Sequence, residues 1–219
     1  MDKDNLTENA YIKTLETWLG DEGRAVADWL NANTTNEEFI EQPINIHQPE
    51  RYLIDHALGM LDKITKLSKV FFSVSEDGKW VYKSPYTNAD YARVALYHIL
   101  GSIAKFRRGK RNKKDATGKW QEVVMWEYND DKVAYGTDGE TAIFVLRDIW
   151  AEYGLEPLSR DVEVAILNIE ILWDNPLRSG AAIKLYGQNS LALLAHTANF
   201  LDTVGLAVQE ETEVASAAS

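Results

Sequence analysis

Ala95–Phe106 reads ALYHILGSIAKF, and the fold turns on how that stretch is read. Ala95, Leu96, Ile99, Leu100 and Ile103 recur at helical spacing, and apolar residues lie almost all round. A helix apolar on every side is a buried one. Asn88 can cap it, so the spacing predicts a buried helix over about 89–106. His98 sits in its middle. A lone histidine on such a helix is either a hydrogen-bonded core residue or a ligand.

Working outward, a second strong helix is expected over about 51–69, with a stripe of Leu53, Ile54, Ala57, Leu58, Leu61 and Ile64 and with His56 beside it. Upstream, Ile12, Leu15, Trp18 and Leu19 begin a helix that Gly20 and Gly23 interrupt and that Val26, Trp29 and Leu30 continue. Residues 31–50 read as a loop. VFFSVSEDGKWVYK, at 70–83, reads as a hairpin around Asp77-Gly78. A second hairpin is expected near 119–135, with WQEVVMWEY as a strand. Thr137 or Asp138 starts a helix through Ile143, Leu146 and Trp150, and Ser159 caps another, DVEVAILNIEILW. The last helix is expected over about Ser190 to Val208. The expected architecture is mainly α, a bundle of at least five helices with one or two small inserted β-hairpins. Three parts are expected: an N-terminal helical arm (1–44), the main domain (45–208) and a mobile acidic tail (209–219).

Composition sets limits. The 219 residues include seven Trp and no Cys, which excludes disulfides and thiol chemistry. No apolar run approaches the roughly 20 residues of a membrane span, and the polar, acidic start MDKDNLTENA does not resemble a signal peptide. A soluble cytoplasmic protein without membrane contact is the expectation. The net charge of −11 argues against broad nucleic-acid binding. The charge is uneven: residues 1–62 hold 13 acidic and 4 basic residues, whereas 105–119 (KFRRGKRNKKDATGK) hold 8 basic and one acidic. Such a basic block is either a solvated loop or, beside a pocket, an attractor of phosphates.

Five segments carry a resemblance. YLIDHALGMLDKI with His56, ALYHILGSI with His98, RNKKDATGKW (111–120), YGTDGETAIFVL (135–146) and LALLAHTANFL (191–201) are similar, in order and spacing, to the HD-domain metal-dependent phosphohydrolases, most of all a branch found in bacteria and phages. The resemblance covers about 45–208 and implies an HD-domain-like helical bundle, in which the helix carrying His56 packs against the one carrying His98. It also implies a metal site, yet the residues depart from the family at that point. The family's metal-binding Asp falls on Ile99, which has no lone pair, and its Lys falls on Ser102. The His of its Gly-His-Gly segment falls on Asp138. A further helical His falls near Ile169, with Glu170 and Asp174 close by. The closing Asp falls on Asn199, and His196 occupies a place where the family often has a non-ligand His.

His56 and His98 without a carboxylate are short of the roughly three protein ligands of a catalytic site. Asp138 reads first as a helix N-cap and second as a substitute ligand. We therefore expect no catalytic residues, no metal and no cofactor. The expected ligand-binding set is His56, His98, Asp138, Asn199, Lys105, Arg107 and Arg108, the last three lying beyond His98 on its helix and at its end. Two function classes compete. One is a non-catalytic pseudoenzyme that binds a nucleotide or phosphorylated small molecule, or a partner protein. The other is a divergent phosphohydrolase using Mn, Fe, Ni or Mg, with Asp138, Glu170 or Asp174 as substitute ligands. A third reading, motivated by the acidic first 62 residues, is a phage inhibitor of a host enzyme.

Overall fold

A computed structural model describes residues 9–71, 73–76, 79–82, 84–132, 136–170 and 179–206. Seven α-helices and two hairpins are present among them: α1 (Ala10–Asn33), α2 (Leu53–Phe71), β1 (Ser73–Glu76), β2 (Lys79–Tyr82), α3 (Asn88–Tyr97), β3 (Phe106–Lys114), β4 (Trp120–Tyr128), α4 (Asp138–Tyr153), α5 (Arg160–Leu167), α6 (Ser179–Gln188) and α7 (Ser190–Thr203). The chain is mainly helical, as expected. Each two-stranded sheet is an antiparallel hairpin, β1 with β2 and β3 with β4.

Helix α2 is central. Leu53, Ile54, Ala57, Leu61 and Ile64 of the expected stripe are buried, together with Met60. They pack on α3 and on α7, whose Leu191, Ala192, Leu194, Ala195 and Ala198 are fully buried. Burying side chains of this kind contributes about 1.5–3 kcal/mol each for the larger ones. Helix α1 breaks at Gly20 (φ 59°, ψ −127°), where the sequence placed an interruption. Tyr11, Ile12, Leu15, Val26 and Leu30 of α1 join the same core as α2 and α3, so the helix expected as an arm is built into the bundle. Tyr11 also donates its hydroxyl to the Leu96 carbonyl at 2.6 Å.

The opening stretch departs from its expected helix. α3 ends at Tyr97, and His98–Ser102 forms a tighter 3-10 turn. Ala104 adopts a positive φ of 54°, and Phe106 starts β3. Two contacts explain the early end. Gln42 clamps the Phe106 backbone, accepting from its N–H at 2.6 Å and donating to its carbonyl at 3.1 Å. Gly101 lies so close to α4 that a Cβ there would sit 1.8 Å from the Asp138 carbonyl oxygen. Apolar periodicity runs on through Ile103, but backbone hydrogen bonds to β4 capture the residues that follow. The basic block is accordingly a strand and not a loop, and the second hairpin lies at 106–128 rather than 119–135.

The starts of α3, α4, α5 and α7 were legible to within a residue. Thr87 caps α3 and Thr137 caps α4, each in a reciprocal arrangement with an acidic residue three positions on, Asp90 and Glu140. The caps therefore stand one residue before Asn88 and Asp138. Ser159 caps α5 as expected, though α5 ends at Leu167. Helix α7 ends at Thr203, short of Val208, and α6 was not anticipated. The expected tail, 209–219, lies outside the described residues.

Candidate functional site

The helices α2 and α7, the 3-10 turn and the start of α4 enclose a cleft of about 150 Å³. Its walls include His56, His98, Ile99, Ser102, Lys105, Asp138, Glu170 and Asn199. Of the seven residues expected to bind a ligand, five line this cleft: His56, His98, Asp138, Asn199 and Lys105. The rings of His56 and His98 meet edge to face, with centroids 5.3 Å apart.

Both imidazoles are held from behind. His56, on the second turn of α2, places Nδ1 2.6 Å from Asp202 Oδ2 and Nε2 2.8 Å from Asn199 Oδ1. A carboxylate only accepts, so the Nδ1–H donates to Asp202. Asn199 and Asp202 lie three residues apart on one face of α7, which is why a single helix grips both ring nitrogens. Asp202 is buried and also accepts from Lys63 Nζ at 2.7 Å, while Arg51 lies 3.5 Å away and donates to the backbone carbonyls of Asp202 and Thr203. Burial opposes the Asp202 charge, but the His56 and Lys63 hydrogen bonds outweigh it and hold the carboxyl below its ordinary range. His98 donates Nδ1–H to the Ala95 carbonyl at 2.9 Å, and its Nε2 is buried with no hydrogen-bond partner. Burial, reinforced by His56, pushes His98 down to about 3, so the ring is neutral.

Across the cleft, Asp138 is not the helix cap. As the first residue of α4 it turns its carboxylate inward, where Oδ2 accepts from Ser102 Oγ and from Lys105 Nζ, each at 2.6 Å. Burial opposes the Lys105 charge, yet Asp138 and, beyond it, Glu170 raise the ammonium above its usual range. Lys132 donates to the Gly101 carbonyl at 2.6 Å. Burial pushes it down to about 8, with Asp138 opposing and Lys105 adding to the fall.

Two expected contacts lie elsewhere. Arg107 pairs with Asp131 at 2.6 Å and approaches Glu127 at 3.4 Å, while Arg108 pairs with Glu41 at 2.5 Å. Neither lines the cleft. The end of α3 at Tyr97 is the reason, because both arginines ride on β3 instead of on a continuing helix. His196 donates Nδ1–H to the Ile169 carbonyl (2.8 Å) and stacks on Tyr186. His47 is exposed, and Asp174 lies outside the described residues.

No protein-family model matches the chain, and neither a curated protein nor a solved structure is found to match it. The chemistry of the donors is therefore the test of any bound group. Among the described residues no group of three His, Asp or Glu side chains is placed to hold a metal ion. Ile99 is buried where the resemblance calls for a carboxylate, and the His56 Nε2 faces the Asn199 amide. The described residues do not fit a hydrolytic metal centre. Among the described residues no helix is long and apolar enough to cross a membrane.

Sequence reasoning missed Asp202, Lys63, Arg51 and Lys132. Asp202 carried a signal, since it stands at i+3 from Asn199. Lys63 stands seven residues, two turns, from His56 on α2.

Proposed function

We propose that this protein is a non-catalytic binding protein, a degenerate relative of the HD-domain phosphohydrolases. The observation that carries the reading is the Asp138 carboxylate, which takes both Ser102 and Lys105. Where the resemblance implies a metal ligand and a phosphate-binding lysine, this chain has an apolar side chain and an internal hydrogen bond. What remains is a small polar cleft with neutral His98, one ammonium on Lys105 and carboxylates on Asp138 and Glu170. At about 150 Å³ it is well below the ~300 Å³ at which small-molecule pockets usually begin. A cleft of that size admits a phosphate end or a similarly small group beside Lys105, not a whole nucleotide.

The test combines elemental analysis of the purified protein with calorimetric titration of inorganic phosphate and a nucleotide panel. The reading expects no stoichiometric divalent metal, no turnover of phosphate esters, and a phosphate response that is lost in Lys105→Ala. About one equivalent of Mn, Fe, Ni or Zn, lost in His98→Ala, would overturn it in favour of the phosphohydrolase.

A further inference from the structure

Cross-strand register sorts the side chains of the β3–β4 hairpin onto two faces. One face carries Arg107, Arg111 and Lys113, opposite Glu127, Val123 and Gln121. Its charges are largely satisfied: Glu127 takes Arg111 at 2.9 Å, and Asp131 takes Arg107. The other face carries Arg108, Lys110 and Lys114, opposite Trp126, Val124 and Trp120, with Tyr128 at its base. Here cations and rings alternate. Arg108 lies over the Trp126 ring at 5.2 Å, and Lys114 over Trp120 at 5.1 Å. Trp120 is 67 % exposed and Tyr128 59 % exposed. As on the opposite face, two of the three cations are paired, Lys110 with Glu122 at 2.8 Å and Arg108 with Glu41, so it is the exposed rings that set this face apart. The turn beyond is rigid, because Asp115 accepts from the Thr117 and Lys119 N–H groups and the Gln121 amide.

We propose that this face binds single-stranded nucleic acid. A strand offers flat π-surfaces for the exposed rings and a regular row of anions for Lys114 and, in exchange for Glu122 and Glu41, for Lys110 and Arg108. Trp120 and Tyr128 stand eight residues apart on β4, about 27 Å of platform, enough for a short run of bases. An apolar groove of about 390 Å³, lined by Ile46, Pro49, Val124, Met125 and Trp126 with Arg108 at its side, continues the platform at the foot of the hairpin. A duplex hides its bases, so the rings would stack on nothing. An acidic protein would use the cations but leave Trp120 uncovered. The net charge of −11 does not forbid the contact, since charges beyond about 8 Å are screened at physiological salt. Exposed pairs such as Arg108–Glu41 are worth roughly 0–1 kcal/mol and exchange readily for phosphate.

The test is fluorescence anisotropy of a labelled oligothymidylate of about 15 nucleotides, and of a duplex of equal length, at about 50 and 200 mM salt. The full chain is compared with Trp120→Ala, Lys114→Ala and Lys113→Ala, which all lie near the exposed tip; circular dichroism checks that each is folded. We expect binding of the strand in preference to the duplex. Affinity should fall about five- to tenfold in Trp120→Ala and in Lys114→Ala and no more than about twofold in Lys113→Ala, which removes the same charge from the opposite face. No binding at the lower salt overturns the proposal, as does equal loss in the two lysine variants or equal affinity for duplex. Sedimentation showing self-association that needs Trp120, without strand binding, assigns the face to a second copy of this chain. The hairpin and the cleft share none of the substituted residues, so this titration and the metal analysis fail independently.

Discussion

Replacing Asp202 with Asn preserves its shape and removes its charge. Its carboxylate receives His56 Nδ1 at 2.6 Å on one oxygen and Lys63 Nζ at 2.7 Å on the other, and only 7 % of the residue is exposed. Breaking a buried ion pair by removing one partner costs about 3–5 kcal/mol. Lys63 and Arg51 retain some access to solvent, and the amide oxygen of Asn still accepts one hydrogen bond, so about 3 kcal/mol is expected for Asp202→Asn at neutral pH. The sign of the pH dependence follows from the depressed carboxyl. A group held below its unfolded pKa of about 3.9 contributes its full stability above that value and loses it as pH falls through the lower, folded one. The gap between wild type and variant should therefore be constant from neutral pH down to about pH 5 and shrink below about pH 4. Urea unfolding followed by circular dichroism across that range is the assay. A penalty under about 0.5 kcal/mol at neutral pH, or one that widens in acid, would refute the reasoning.

Three further outcomes are expected. Gly59→Ala, which in an ordinary helix interior stabilises by up to about 1 kcal/mol, should instead destabilise, because a Cβ there would meet Asp202 Oδ1 at 2.2 Å; the unfolding midpoint reads the sign. Stability should decline as pH falls from about 6.5, where an unfolded histidine starts to gain its proton, towards about 3, where buried His98 does, and His98→Gln should flatten that part of the profile in a pH series of melts. Ile99→Asp places a carboxylate beside His56 and His98 at a buried position and should cost about 2–4 kcal/mol without metal. Added Mn or Zn should recover part of that loss, since two imidazoles and a carboxylate make a workable ligand set, and a thermal shift indifferent to metal would count against the proposed kinship with metal-dependent phosphohydrolases.

Helical class and the position of the His56 helix were legible in the sequence, and the meeting of His56 with His98 was expected only with the family resemblance, since periodicity does not show which helices converge. The first two rest on local rules: an apolar stripe at a 3.6-residue period, a break at Gly20, and Ser or Thr followed by an acidic residue at a helix start. Those rules act over a few residues, and the chain carries them wherever it lies. The fate of ALYHILGSIAKF was decided at longer range. Its apolar period supports a helix through Ile103, but Gln42, distant in sequence, clamps Phe106, and β4 pairs with the residues beyond. That one change moved Arg107 and Arg108 from the cleft onto a strand. Tertiary packing likewise turned Asp138 from cap to cleft carboxylate and set Asp202 behind His56. Which oxygen faces which ring is fixed by the crossing of α2 with α7, a geometry that periodicity along either helix does not contain.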